Sequence, residues 1–108
     1  MVNNISDSDF VKEVEQDPGV VLVDFWAPWC GPCRMMAPVY EKTAEKMPSI
    51  KFCKVNTDEN QVNAQKYGIS GIPCIIVYKQ GKEAGRIVGY LPEAQLEQEI
   101  SKYAQSNS

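Results

Sequence analysis

Trp26-Ala27-Pro28-Trp29-Cys30-Gly31-Pro32-Cys33 is the stretch whose reading decides the fold. Its two cysteines lie three positions apart. On the first turn of a helix that spacing brings two side chains onto one face, close enough to form a disulfide or share a metal. The run before them, Val20-Val21-Leu22-Val23-Asp24-Phe25, is apolar and β-branched, as a buried strand is. After them Arg34-Met35-Met36-Ala37 is a helix-forming run. The pair therefore sits where a strand turns into a helix. A helix N-terminus stabilises negative charge, and a thiolate placed there forms more readily. The pattern points to a chain that makes and breaks disulfides.

Upstream of this stretch, Ser6-Asp7-Ser8-Asp9 reads as a helix start, with Phe10, Val11 and Val14 on one face and Asp17-Pro18-Gly19 as the stop. Downstream, Met36, Val39, Tyr40, Thr43 and Met47 recur at helical spacing. Pro38 lies inside that helix, removes a backbone hydrogen bond and should kink it; Pro48 closes it. Ile50–Val55 alternates as a second strand, and Asn56–Asn60 is a polar loop before a short helix through Tyr67. Ile72-Pro73 introduces a third strand, Cys74–Tyr78. Gln80-Gly81 turns the chain into a fourth near Glu83–Val88, weakened by Gly85. Pro92 starts a last helix with Leu96, Ile100 and Tyr103 on one face, and Gln105-Ser106-Asn107-Ser108 is expected to fray. The order is α-β-α-β-α-β-β-α, with a possible extra strand near Val2-Asn3. Strand–helix–strand units join parallel strands, whereas a two-residue turn demands an antiparallel hairpin. An α/β fold with one mixed central sheet, covered by helices on both faces, fits best.

With 108 residues, of which 44% are hydrophobic, residues 1–108 are expected to form one domain. Eleven basic against fourteen acidic residues give a net charge of −3 without a Lys/Arg cluster, which argues against nucleic acid as a partner. The longest apolar run is too short to span a membrane. Met1-Val2-Asn3-Asn4 runs straight into polar sequence, without the regions of a signal peptide, so a cytoplasmic location is expected. There is no histidine, which removes His-dependent triads and Cys/His zinc fingers.

These motifs together resemble the thioredoxin family over about Ser6 to Ile100. Trp29-Cys30-Gly31-Pro32-Cys33 is similar to that family's active-site motif, and Asp24 and Trp26 precede it at the family spacing. Pro38, Lys54, Gly71-Ile72-Pro73, Gly81 and Gly89 match further family positions in the right order. Cys74 stands where the family commonly has threonine, and Tyr90 where many members have a small residue. The resemblance implies a thioredoxin fold, a cis Pro73 and a protein-disulfide reductase cycling between a Cys30/Cys33 dithiol and disulfide. No bound cofactor or metal is implied. The partners implied are disulfide-containing target proteins and a thioredoxin reductase as electron donor, with the chain a monomer.

The alternatives for Cys30 and Cys33 are a structural staple or a metal site. A staple closing so short a loop gains only roughly 2 kcal/mol. A structural zinc site usually brings its ligands as two close pairs, whereas Cys53 and Cys74 are isolated in expected strands. Redox catalysis is favoured. A binding module that keeps the fold but not the chemistry is argued against by the intact cysteine pair. Cys30, at the helix start, is expected to be the more exposed thiol and the nucleophile; Cys33, one turn in, resolves the mixed disulfide. Gly31 lets the backbone approach closely, Pro32 suits a helix's first turn, and by resemblance this pair tunes the redox potential towards a reductant.

Asp24 is the odd residue in an apolar strand. It either pairs structurally with Lys54 or acts as a buried proton acceptor for Cys33. Burial should raise its pKa while Lys54 opposes that shift, and the resemblance favours the second role. Trp29, Ile72, Pro73, Gly89 and Tyr90 are expected to form a flat substrate-docking patch, with the Ile72 backbone beside Cys30. Trp26 is assigned to packing, the Met35, Met36 and Met47 set to the core, and Cys53 to the core. Cys74 is expected to pack in place of threonine, with an alternative disulfide or an iron–sulfur ligand as the other readings.

Overall fold

The computed structural model describes residues 1–105. Strand β1 (Val2–Asn4) is followed by two short helical turns (Asp7–Asp9 and Val11–Glu15), then β2 (Val20–Trp26) and α1 (Gly31–Lys46). The chain continues with β3 (Lys51–Asn56), α2 (Val62–Lys66), β4 (Cys74–Lys79), β5 (Lys82–Val88) and α3 (Glu93–Ala104). The strands form one sheet in the order β1-β3-β2-β4-β5. β1 and β2 run parallel to β3, β4 runs antiparallel to β2, and β5 runs antiparallel to β4. This is the expected mixed sheet with its closing hairpin, and the extra strand at the N-terminus is present. Of the expected frayed tail, Gln105 ends α3 with its N–H on the Ser101 carbonyl (3.0 Å). Residues 106–108 lie outside the described residues.

β2 is the central strand, and both of its faces are covered. Val21, Val23 and Phe25 enter a core with Phe10, Val14 and Tyr78. Leu22 enters a second core with Met36 and Tyr40 of α1 and Leu96 and Ile100 of α3. A strand buried on both sides reads as an unbroken apolar run, which is why Val20–Phe25 carries no alternation. Successive side chains point to opposite faces, so Asp24 shares the α1 side with Leu22 and Trp26.

The first helical segment differs from expectation. Ser6 does start it, its N–H donating to Asp9 Oδ2 at 3.1 Å, but two separate turns form in place of one regular helix. The second is widened, with the Gln16 N–H bonding the Val11 carbonyl at 2.8 Å. Phe10 and Val14, four apart, are buried, whereas Val11 is exposed because the next residue on a helix points about 100° away. The same geometry corrects the methionine set. Met36 is fully buried, while its neighbour Met35 is 58% exposed.

Gln80 (φ 53°) and Gly81 (φ 79°) both take the left-handed region, as a two-residue hairpin turn requires. Gly85 in β5 weakens its strand for a reason invisible in the local sequence: a Cβ there would collide with the ring of Tyr103 on α3. Gly85→Ala is therefore expected to cost about 1–3 kcal/mol, as overpacking does. Urea unfolding measures the loss, and Tyr103→Ala in the same chain should remove most of the penalty.

Candidate active site

Parallel strands β2 and β3 end together at the register pair Trp26 and Asn56. From that edge the chain loops through Ala27–Trp29 into the N-terminus of α1. Cys30 immediately precedes the helix in an extended conformation (φ −87°, ψ 112°), and its Sγ accepts the Cys33 N–H at 3.2 Å. The sulfur thus takes the place of a capping oxygen on one of the helix's unpaired N–H groups. Pro32 occupies the first turn, where its missing N–H costs nothing. Cys30 and Cys33 are joined by a disulfide, with Cα atoms 5.2 Å apart.

In this disulfide form the expected contrast in exposure is slight, at 4% for Cys30 and 2% for Cys33. Their surroundings differ more. Cys30 Sγ lies 3.7 Å from the Ile72 carbonyl oxygen. Trp26, Ala27 and Ile72 pack around the pair. The Ile72–Pro73 peptide bond is cis. The Pro73 carbonyl accepts the Gly89 N–H at 2.8 Å, and Gly89 takes φ +93°. Ile72, Pro73 and Gly89 thus come together beside the sulfur, with Tyr90 following on the same loop. On the other side Trp29 is 68% exposed. Its indole N–H donates to Asp58 Oδ1 at 3.0 Å. Arg34 donates from its guanidinium to the Pro28 carbonyl at 3.0 Å, bracing the loop that carries Trp29. Asp58 is a site residue that the sequence reading missed. The available signal was topological: Trp29 and Asp58 lie three and two residues past strands that end side by side.

Asp24 is buried, and neither carboxylate oxygen has a hydrogen-bond partner among the described residues. Burial pushes its carboxyl from an ordinary 3.8 up to about 7, with the positive charge of Lys54 opposing the shift. Asp24 and Lys54 are register partners on β2 and β3. They form no direct ion pair, however. The Lys54 ammonium lies over the Trp26 ring, 4.6 Å from its centroid.

Cys74 is directly opposite Phe25 and packs with the Phe10 core, on the face of the sheet away from α1. The same face holds Cys53. Burial raises both thiols, that of Cys53 to about 11. This supports the expected packing of Cys74 in place of threonine over the disulfide and iron–sulfur readings. No group of three or more potential metal ligands occurs among the described residues.

A sequence model of the thioredoxin family matches residues 1–102. The chain belongs to the thioredoxin family. It is 45% identical over 103 residues to a thioredoxin of Porphyra purpurea, covering 94% of this chain and 96% of the relative. It is 47% identical over 100 residues to thioredoxin 1 of Nostoc sp., covering 92% and 94%. A chloroplastic M-type thioredoxin of Chlamydomonas reinhardtii is 46% identical over 100 residues, covering 92% of this chain and 71% of the relative. The chain is a thioredoxin-type thiol–disulfide oxidoreductase whose redox activity resides in the Cys30–Cys33 disulfide, and that activity implies redox partners.

The cytoplasmic expectation is overturned by relatives named chloroplastic. The Val2–Asn4 run on which that expectation rested is strand β1 of the sheet, paired with β3.

Proposed function

We propose that this thioredoxin works chiefly as a reductant of disulfides in target proteins, with residues 1–108 acting as a single domain. The observation that carries this reading is the seat of Cys30. Its Sγ receives a helix N-terminal N–H and lies against the backbone of Ile72, beside cis Pro73. In the dithiol form, the Cys30 thiolate attacks one sulfur of a target disulfide. A Cys30–target disulfide forms and the other target sulfur leaves as a thiolate. Cys33 then gives its proton to Asp24 and attacks Cys30 Sγ. The Cys30–Cys33 disulfide forms and the second target thiol departs, so two electrons pass to the target. Lys54 modulates Asp24, and Gly31 and Pro32 tune the redox potential.

Trp29, Ile72, Pro73, Gly89 and Tyr90 receive the target as an extended segment against the Ile72 backbone. A thioredoxin reductase returns the electrons, and the chain acts as a monomer. The chloroplastic names of the M-type relatives support a plastid as the setting. The test is reduction of a disulfide-bonded protein by excess small dithiol with and without catalytic amounts of the chain. Clear acceleration is expected, and a rate equal to that of dithiol alone overturns the reading.

The Trp29–Asp58 hydrogen bond gives a finer test of the docking patch. Asp58→Ala frees the indole to rotate, at a cost of about 0.5–1.5 kcal/mol. KM for a protein disulfide should rise roughly two- to tenfold at nearly constant kcat, read from steady-state kinetics.

A further inference from the structure

The ammonium of Lys54 has a defined seat that its charge alone does not explain. Asp24, Trp26 and Lys54 share the α1 side of the sheet, since Asp24 and Trp26 alternate on β2 and Lys54 is the register partner of Asp24. An ammonium beside a buried carboxylate would ordinarily close onto it. Here it stands over the indole face of Trp26 at 4.6 Å, and the Asp24 oxygens remain without a hydrogen-bond partner among the described residues.

A solvent-open pocket adjoins the same pair. Lys54 and Trp26 line it together with Asp9 and Glu59. Water and these two carboxylates compete for the ammonium. The indole face offers a third seat through attraction to its quadrupole.

From this juxtaposition we propose that Trp26 is a positioning residue, whose ring anchors the Lys54 ammonium where its charge acts on Asp24, against the pull of water and the pocket carboxylates. The inference builds on the proposed role of Asp24 as proton acceptor, because the coupling matters to turnover only through that role. The charged and titratable groups around Asp24 are Lys54 from β3, Tyr40 from α1 and, across the sheet, Cys74 from β4. Of these, Lys54 is the cation. Trp26 therefore sets how much of the acceptor is ionised at neutral pH, without touching the reacting sulfurs' proton itself.

The test is a double-mutant cycle read on Asp24 directly. The carboxyl carbon of labelled Asp24 is titrated by NMR in the disulfide form, in which neither Cys30 nor Cys33 titrates. Lys54→Gln is expected to raise the Asp24 pKa in the parent chain. In a Trp26→Leu background the same change should move it by less than half as much, and Trp26→Phe, which keeps an aromatic face, should restore most of the difference. Water admitted by the smaller Leu side chain affects both members of its pair and cancels. An equal Lys54→Gln shift in the parent and Trp26→Leu backgrounds overturns the proposal. Because the readout is a titration, it stands apart from the acceptor role. That role is judged separately, by the pH profile of mixed-disulfide resolution in Asp24→Asn.

Discussion

Cys30→Ser is expected to abolish catalysed disulfide reduction, whereas Cys33→Ser is expected to complete only the first half of the cycle. A serine hydroxyl at the head of α1 is not a thiolate and cannot open a disulfide, so the loss should be about a thousandfold or more. The geometry makes the two cysteines unequal despite their similar burial. The Cys30 sulfur accepts the Cys33 N–H and faces the Ile72 carbonyl, while Cys33 lies a turn deeper in the helix. In Cys33→Ser the attack by Cys30 still occurs and nothing resolves it. A covalent adduct with the target should then accumulate and be visible as their summed mass under non-reducing conditions. An adduct formed equally fast by Cys30→Ser would reverse the assignment of nucleophile and resolving thiol.

What could be read in advance divides along local and non-local lines. The strand–Cys-x-x-Cys–helix junction was legible because every signal in it is local: β-branched residues end, proline sits in a first turn, and helix formers follow. The hairpin was legible for the same reason, since Gln80-Gly81 supplies a turn compatible with positive φ. The residues left open or missed were decided by contacts distant in sequence. Cys74 follows Pro73, and its place beside that proline left a disulfide or iron–sulfur role open next to packing. Strand alternation instead sends its side chain opposite Phe25, to the far side of the sheet. Asp58 looked like one polar residue in a polar loop until the parallel register of β2 and β3 brought it to the Trp29 indole. Asp24 lay between these cases. Its oddness in an apolar strand was visible, but the choice between an ion pair with Lys54 and an isolated carboxyl depended on where the ammonium sits. That is fixed by the Trp26 ring, a contact that no spacing rule foretells.

Asp24→Asn is expected to stabilise the protein at alkaline pH while slowing the resolution step. The sign follows from proton binding. Burial holds the folded-state pKa of Asp24 at about 7, against 3.8 for an ordinary aspartate. Between those values the folded chain keeps a proton that the unfolded chain has released, so stability falls as pH rises. Below about pH 4 both states are protonated and Asp24 contributes no pH dependence. Above about pH 7 both are ionised, and the accumulated cost of the buried charge reaches about 4 kcal/mol. Asparagine never ionises. The variant should match the parent near pH 4 and exceed it by about 2–4 kcal/mol at pH 8–9, in urea unfolding at each pH. Kinetically the change runs the other way. Without a group to take the Cys33 proton, the mixed disulfide should resolve roughly ten- to a hundredfold more slowly near neutrality. The rise in rate as Asp24 ionises should also disappear. The same carboxylate would then destabilise the fold above pH 7 and be required there for turnover. A variant that gains alkaline stability yet resolves the intermediate at the parent rate would separate the two effects, leaving Asp24 a buried charge with no part in proton transfer.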